Sequence, residues 1–108
     1  SASPEETAAA VEVASAWTIE CVILFYLGDV AQAMTFVPEL SKLCARLPST
    51  CLYVAAHGYY WSGRIFALNE QRTEAIRCLR ESKACKKYPF NIAEKVSKVL
   101  EDLERQAP

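Results

Sequence analysis

Residues that start and end helices divide this chain into a few segments, and they constrain its fold more than any other feature. Gly28-Asp29, Pro48 and Tyr88-Pro89 each follow a stretch in which apolar residues recur every three or four positions. Such a period is typical of helices with one buried face. The sequence has neither an Asn-Gly turn nor sustained apolar–polar alternation, so strand signals are absent. The chain is therefore predicted to be all-α, with five antiparallel helices joined by short turns.

The first of these helices has clear signals at both ends. Ser3, Pro4 and Glu6 give an N-cap, a proline at the first helical position and the acid of a capping box, while Gly28 gives a C-cap. The second half of the helix is apolar nearly all round, which predicts burial on more than one side. The apolar run Cys21–Leu27 is far shorter than the about 20 residues that cross a bilayer, so it indicates a buried helix segment and no membrane contact.

The later helices are separated by prolines and polar turns. Asp29 caps the second helix, in which Pro38 predicts a kink or a break with a restart, because proline removes a backbone hydrogen bond. Gly58 and Gly63 lie inside the third helix at a cost of about 1 kcal/mol each relative to alanine. We interpret both as points where a neighbouring helix approaches closely. The second to fifth helices are predicted over residues 30–46, 50–68, 74–87 and 92–106.

Length and composition describe one ordinary globular domain. The chain has 108 residues, 52% apolar and 23% charged, which is enough for one hydrophobic core without metal or disulfide staples. A net charge of -1 argues against a generic nucleic-acid binder, and the acidic N-terminus lacks the basic start of a secretory signal. We expect a soluble intracellular protein, cytoplasmic or nuclear, in which residues 1–108 form a single all-α domain.

The cysteines indicate free thiols in a reducing compartment. Cys21, Cys44, Cys51, Cys78 and Cys85 are odd in number, and no two of them have the C-x-x-C spacing of a zinc or redox site. We interpret them as small buried hydrophobic residues, so neither a metal nor another cofactor is expected.

The same order of large and small side chains occurs twice, at an offset of 42 residues that aligns Ala33 with Ala75. Alternating large and small positions suit antiparallel helices that interdigitate, because small residues lie where two backbones come close. The aligned pairs are Trp17 and Tyr59, Cys21 and Gly63, Leu24 and Phe66, Val37 and Leu79, and Leu40 and Ser82, with Pro48 and Pro89 closing the two units. The pattern predicts a stack of two similar helical hairpins.

This pattern resembles the tetratricopeptide repeat, whose units are pairs of antiparallel helices. The likeness is carried by Trp17, Ala33 and Pro48, by Gly63, Ala75 and Pro89, and by the turn Leu27-Gly28-Asp29. The chain departs from the family at Glu20 and Ser62, where leucine is usual, at Cys21, where glycine is usual, and in its period, since the family uses about 34 residues. The resemblance implies hairpins over residues 14–48 and 50–89 and a capping helix over 91–106.

A second family also looks similar. Residues 56–104 resemble the three-helix microtubule-interacting-and-transport module, because the hairpin that contains Ala75 and the helix after it follow the same order.

Two repeats are also fewer than the three that a stable solenoid usually needs. Either the capping helix suffices, or the chain forms a homodimer, or it belongs to a longer array.

The tetratricopeptide likeness implies that the first helix of each unit lines a concave groove. In the second unit that face carries a stripe at helical spacing, Tyr53, His57, Tyr60 and Arg64, which we call the groove stripe. Aromatic, imidazole and guanidinium groups together suit an extended peptide that carries an acidic group. The alternative is that Tyr60 and His57 only pack helices together. The family's carboxylate-clamp residues do not map onto this sequence, so binding of chaperone tails is not implied.

Charge is unevenly distributed along the chain despite its small net value. Residues 1–29 hold five acidic and no basic residues, whereas residues 64–87 hold seven basic and three acidic residues, a local charge of +4. Arg77 and Glu81 are spaced to pair on the fourth helix. The exposed arc of that helix, which we call the basic face, consists of Arg77, Arg80, Lys83 and Lys87. It is either a solvated surface or a dock for an acidic partner segment, and nucleic acid is disfavoured because no aromatic residues are interleaved.

Catalytic patterns are missing from the sequence. His57 is the single histidine, and no nucleophile elbow, phosphate-binding loop, zinc-protease motif or dinucleotide loop occurs. We therefore expect no enzyme, but a scaffold or adaptor module that binds a peptide or amphipathic helix of a partner protein. The alternatives are a homo-oligomerisation domain and, more distantly, a binder of acidic ligands or nucleic acid.

Overall fold

A computed structural model describes residues 3–85 and 92–106, and the regular elements within these ranges are all helical. This confirms the all-α prediction. The structure has six α-helices and one short 3-10 turn, Ser49–Cys51, in the described part of the chain. The α-helices are α1 (Pro4–Leu27), α2 (Val30–Ala33), α3 (Val37–Ala45), α4 (Leu52–Leu68), α5 (Arg72–Ala84) and α6 (Ala93–Arg105).

Both ends of α1 are formed by the residues that the sequence indicates. The Ser3 hydroxyl accepts a hydrogen bond from the Glu6 backbone N–H at 3.1 Å, and the Glu6 carboxylate accepts one from the Ser3 backbone N–H at 3.4 Å. At the other end Gly28 has a φ of 75°, a left-handed conformation that glycine adopts without a Cβ penalty. The predicted capping box and C-cap are both confirmed.

The predicted second helix is broken in two, which is why six helices are found where five were expected. The Asp29 carboxylate caps α2 by accepting from the Gln32 backbone N–H at 3.1 Å, but α2 ends after four residues. The chain restarts as α3 at Val37, so that Pro38 lies in the first turn. Proline is tolerated there because its missing N–H would have no partner within the helix in any case. Of the two outcomes predicted at Pro38, the break with a restart is correct.

Helix α4 lies at the centre of the fold, in contact with α1, α3 and α5. At Gly58 a Cβ atom would overlap the Cys44 sulfur of α3 and lie 3.4 Å from the Thr18 hydroxyl of α1. At Gly63 it would lie 2.9 Å from Leu79 Cγ on α5. The predicted close approach of neighbouring helices is confirmed at both glycines.

Inter-helix contacts fix the relative directions of the helices. Ser82 donates a hydrogen bond to the Ala56 carbonyl at 2.7 Å, and Gly63 lies against Leu79, so α4 and α5 are antiparallel. Thr18 lies against Gly58, and the Phe25 ring contacts the ring of Trp61 at 5.5 Å between centroids, so α1 and α4 run in the same direction.

A second, smaller cluster of buried side chains joins α6 to the rest of the molecule. It contains Tyr60, Ile76, Leu79, Val96 and Leu100. The Arg72 guanidinium also donates to the Leu103 carbonyl at 3.0 Å, tying the start of α5 to the end of α6. Helix α6 therefore covers α5, and most of its apolar face is used in doing so.

Helix α1 is buried along one side only, contrary to the expectation for its apolar second half. Ala14 and Cys21 are fully buried against the core. The opposite side is open, and its large apolar side chains are Ile19, Ile23, Tyr26 and Leu27, which are 61%, 53%, 75% and 73% exposed. The spacing of apolar residues alone does not decide this orientation, because a helix that is apolar nearly all round has no preferred inner face.

Several predicted features lie outside the described residues. They are Lys87 of the basic face, the closing Pro89, and residue 91, the first position of the predicted capping segment. Within the described ranges the fourth predicted helix begins two residues earlier than expected, at Arg72, and is helical to Ala84.

The close packing at Gly58 can be tested with a double-mutant cycle. We expect Gly58→Ala to lower the free energy of unfolding by about 1 to 3 kcal/mol, because the new methyl group overlaps the Cys44 sulfur. In a Cys44→Ala background the same change should cost about 1 kcal/mol less. The measurement is urea denaturation followed by circular dichroism. An equal cost in both backgrounds would show that this contact does not limit the packing.

Two buried serines should respond oppositely to removal of the hydroxyl group. Ser62 is fully buried, and among the described residues its hydroxyl has no hydrogen-bond partner. We expect Ser62→Ala to raise the free energy of unfolding by about 1 kcal/mol, since an unsatisfied buried hydroxyl is removed. Ser82→Ala is the matched control and should lower it by about 1 kcal/mol, because the bond to Ala56 is lost. Two effects of the same sign would contradict this assignment.

Candidate interaction surface

The structure separates the groove stripe into exposed and buried members. All four residues lie on α4, where Tyr53 is 55% exposed and His57 and Arg64 are half-buried. Tyr60 is only 5% exposed and belongs to the cluster under α6. The face that reaches solvent therefore consists of Tyr53, His57 and Arg64, with Tyr60 beneath it.

Tyr60 acts on this surface through Arg64. The Tyr60 hydroxyl accepts a hydrogen bond from Arg64 Nη1 at 2.5 Å. The guanidinium carbon lies 4.4 Å from the centre of the Phe25 ring and 5.6 Å from that of Trp61. Stacking on aromatic rings and a neutral acceptor together fix the position of the charge without neutralising it. Arg64 thus keeps its positive charge at this margin of α4.

His57 and Tyr53 line a shallow hollow between α4 and α1. Its α1 wall is formed by Ser15, Thr18 and Ile19. Burial lowers the pKa of His57, and the nearby positive charge of Lys95 lowers it further. The imidazole is therefore mainly neutral at pH 7 and offers one hydrogen-bond donor and one acceptor. The hollow combines a mostly apolar lining with a few polar groups, a composition that suits a docked side chain.

One side of α1 presents an exposed apolar surface that the sequence prediction of the groove missed. Ala16, Ile19, Ile23 and Tyr26 all lie on the exposed side of α1, and we call this set the α1 stripe. Leu27 extends it at the C-terminal end of the helix. The signal was present as the spacing of these residues, three, four and three positions, but it was hidden because the buried side of α1 is equally apolar.

Helix α1 is also long and apolar enough, by length and composition alone, to cross a membrane. The sequence prediction considered only the run Cys21–Leu27, whereas the helix has 24 residues. In this structure one side of α1 packs on α3 and α4. A helix of this kind is a common element of both soluble cores and membrane segments.

The basic face of α5 is largely engaged in ion pairs. Arg77 Nη2 lies 2.9 Å from Glu74 Oε2. The predicted pairing of Arg77 with Glu81 is therefore wrong, because Arg77 pairs with Glu74 instead. Arg80 Nη2 lies 2.8 Å from Glu104 Oε2 on α6. Lys83 is exposed, and Lys87 lies outside the described residues. Each exposed ion pair of this type adds little to the stability of the fold. The pairs do, however, reduce the positive potential that an acidic partner would meet.

The five cysteines are free thiols, and four of them are buried. Burial raises the pKa of Cys21 and of Cys44 to about 12, and that of Cys78 to about 11. Within the described part of the chain, no group of three or more metal-ligating side chains comes together. Thiols with raised pKa values hold their protons at neutral pH and are poor nucleophiles.

Comparison with known proteins found no matching family model, no matching curated protein and no matching solved structure.

The buried thiols make the stability dependent on alkaline pH. Cysteine ionises near 9.0 when exposed, whereas Cys21 and Cys44 stay protonated to about 12 in the folded protein. The unfolded chain therefore loses protons first, and stability falls as pH rises. We expect the free energy of unfolding to be level to about pH 8 and to fall steadily above about pH 9.

Urea titrations across this pH range provide the measurement. Cys44→Ala should flatten the alkaline decline, because one of the raised pKa values is removed. Cys51→Ser serves as the control at a site that is only half-buried. If the free energy of unfolding of the wild type stays level beyond about pH 10, the raised pKa values assigned to these buried thiols are wrong.

Proposed function

We propose that this chain is a non-catalytic protein-interaction module made of stacked helical hairpins of the tetratricopeptide type. The first hairpin pairs α1 with α2 and α3, the second pairs α4 with α5, and α6 is the cap. Two contacts support this arrangement. Helices α1 and α4 run in the same direction, and α4 touches both α1 and α3 of the first hairpin. A free-standing three-helix module over residues 56–104 would leave that side of α4 uncovered.

The observation that carries the proposal is the exposed apolar surface that α1 and α4 share at one hollow. Ile19 lies beside Tyr53 in the hollow between the two helices, and both are more than half exposed. Large contiguous apolar patches on soluble proteins often mark sites of protein association. His57 and Arg64 supply polar groups at the margin, which would orient a bound peptide or helix and accept an acidic group from it.

Other features support the non-catalytic and intracellular parts of the proposal. The buried thiols hold their protons at neutral pH, whereas a nucleophilic cysteine needs a lowered pKa. Five unpaired cysteines also suit a reducing compartment. No cofactor is required for such a module.

A second candidate is homo-oligomerisation through the α1 surface. It is favoured by the same exposed side chains, because two copies of an apolar helix face can cover each other. The third candidate, an acidic ligand or nucleic acid on α5, is less well supported, since Arg77 and Arg80 already pair with carboxylates.

Site-specific photo-cross-linking in cells tests the proposed function. A photoreactive amino acid replaces Tyr53 on the proposed surface or, as the matched control, Lys42, which is exposed on α3. We expect a discrete product between the chain and one other protein from position 53 and none from position 42. A product that contains two copies of this chain would favour the oligomerisation candidate. Identical products from both positions would contradict a binding surface at Tyr53.

A further inference from the structure

The α1 stripe has the geometry of a helix-pairing seam. Its members, Ala16, Ile19, Ile23 and Tyr26, follow one another at intervals of three, four and three residues. This is the spacing at which one side of a helix stays in register with a second helix packed along it. Ala16 is small, so a partner helix can approach closely at this end, while the large side chains further along provide the knobs. The shape of the surface therefore fits a helix better than an extended peptide.

All the charged residues of α1 itself are acidic. Glu12 continues the line of the stripe one turn before Ala16, and Glu20 lies beside it, both exposed. The sequence has no lysine, arginine or histidine before Lys42. The last turn of α1 also has no basic residue to offset the negative end of the helix dipole. Arg64 is the cation at the α4 margin, and it is held against Phe25 and Tyr60.

We propose that the α1 stripe binds an amphipathic helix of a partner protein whose apolar seam carries lysine or arginine residues along the edge that faces Glu12 and Glu20. The inference deepens the proposed function and rests on it, because it names the chemistry of the partner at that surface. Basic flanking residues would face Glu12 and Glu20, in the way that charged flanks select partners in paired helices. A basic residue near Leu27 would also offset the C-terminal end of the α1 dipole.

A second copy of the chain is a poorer occupant by the same argument. Two α1 helices packed together would bring the acidic flanks of both chains to one interface, with no base on either helix to pair with them. Like charges at the flanks of paired helices are unfavourable, and they select against self-association.

A lipid surface is also a poorer occupant. Helices that lie in a bilayer interface carry lysine and arginine beside their apolar face, whereas α1 carries glutamate. Insertion of the whole helix would, in addition, remove Ala14 and Cys21 from the core in which both are fully buried.

Designed helical peptides test the inference directly. Three fluorescent peptides of about three heptads share one isoleucine–leucine seam. They carry lysine, glutamate or glutamine along one edge of the seam, and all three carry glutamine along the other edge. Dissociation constants are measured by fluorescence anisotropy at low salt, about 50 mM, and at about 300 mM. We expect the lysine peptide to bind about tenfold more tightly than the glutamate peptide at low salt, and the difference to shrink at the higher salt concentration.

Variants of the chain assign the binding to the α1 stripe. Ile19→Ser/Ile23→Ser should weaken binding of the lysine peptide by about tenfold or more, and these exposed positions can change without disturbing the core. Glu12→Lys/Glu20→Lys should reverse the preference between the lysine and glutamate peptides. Glu94→Lys/Glu101→Lys is the matched control, because it reverses the same number of charges at exposed positions of α6 and should leave the preference unchanged.

Three results would overturn the inference. One is equal binding of the lysine and glutamate peptides, or no binding of either. Another is a dimer in sedimentation experiments that dissociates with Ile19→Ser/Ile23→Ser, which would assign the stripe to a second copy. The third is stripe-dependent binding to phosphatidylcholine vesicles, which would assign it to lipid. If any of these occurs while Tyr53 still cross-links to a partner protein, the proposed function stands and only the partner chemistry assigned here fails.

Discussion

The approach of two neighbouring helices to the backbone of α4 is the contact on which the rest of the structure depends. Gly58 admits the Cys44 sulfur of α3, and Gly63 admits the Leu79 side chain of α5. Each glycine weakens the isolated helix by about 1 kcal/mol relative to alanine, and close packing of the neighbours compensates for that loss. Because α4 is covered on these sides, its remaining face is the one shared with α1, where Tyr53, His57 and Arg64 reach the surface.

Local chemistry made much of the fold predictable from the sequence. The ends of α1 follow from Ser3, Glu6 and Gly28, because capping depends on residues adjacent in the chain. The interruption near Pro38 follows from the missing N–H of proline, although its outcome, a break with a restart, depended on the chain that surrounds it. Gly58 indicated close packing for a similar reason, since glycine inside a helix needs compensation from elsewhere.

The features that escaped prediction depend on contacts between distant parts of the chain. Periodicity indicated which residues of α1 are apolar, but not which side meets α3 and α4. Tyr60 and His57 share a helix face by spacing, yet Tyr60 is buried in the cluster with α6 residues and His57 is only half-buried. Arg77 had acidic residues at two suitable distances, and the choice of Glu74 over Glu81 depends on side-chain conformation. The spacing therefore predicted which residues share one face of α4, but it did not predict which of them reach solvent.

The lengths of α1 and α3 have a consequence for how this protein can change during evolution. With 24 and 9 residues the two helices measure about 36 Å and about 14 Å, so α3 cannot cover its partner. One side of α1 is constrained by the core, whereas substitutions on the other side leave the packed interior intact. Substitutions on the outer side can therefore change what α1 binds while the core stays folded. Natural variation or redesign can act there almost independently of stability.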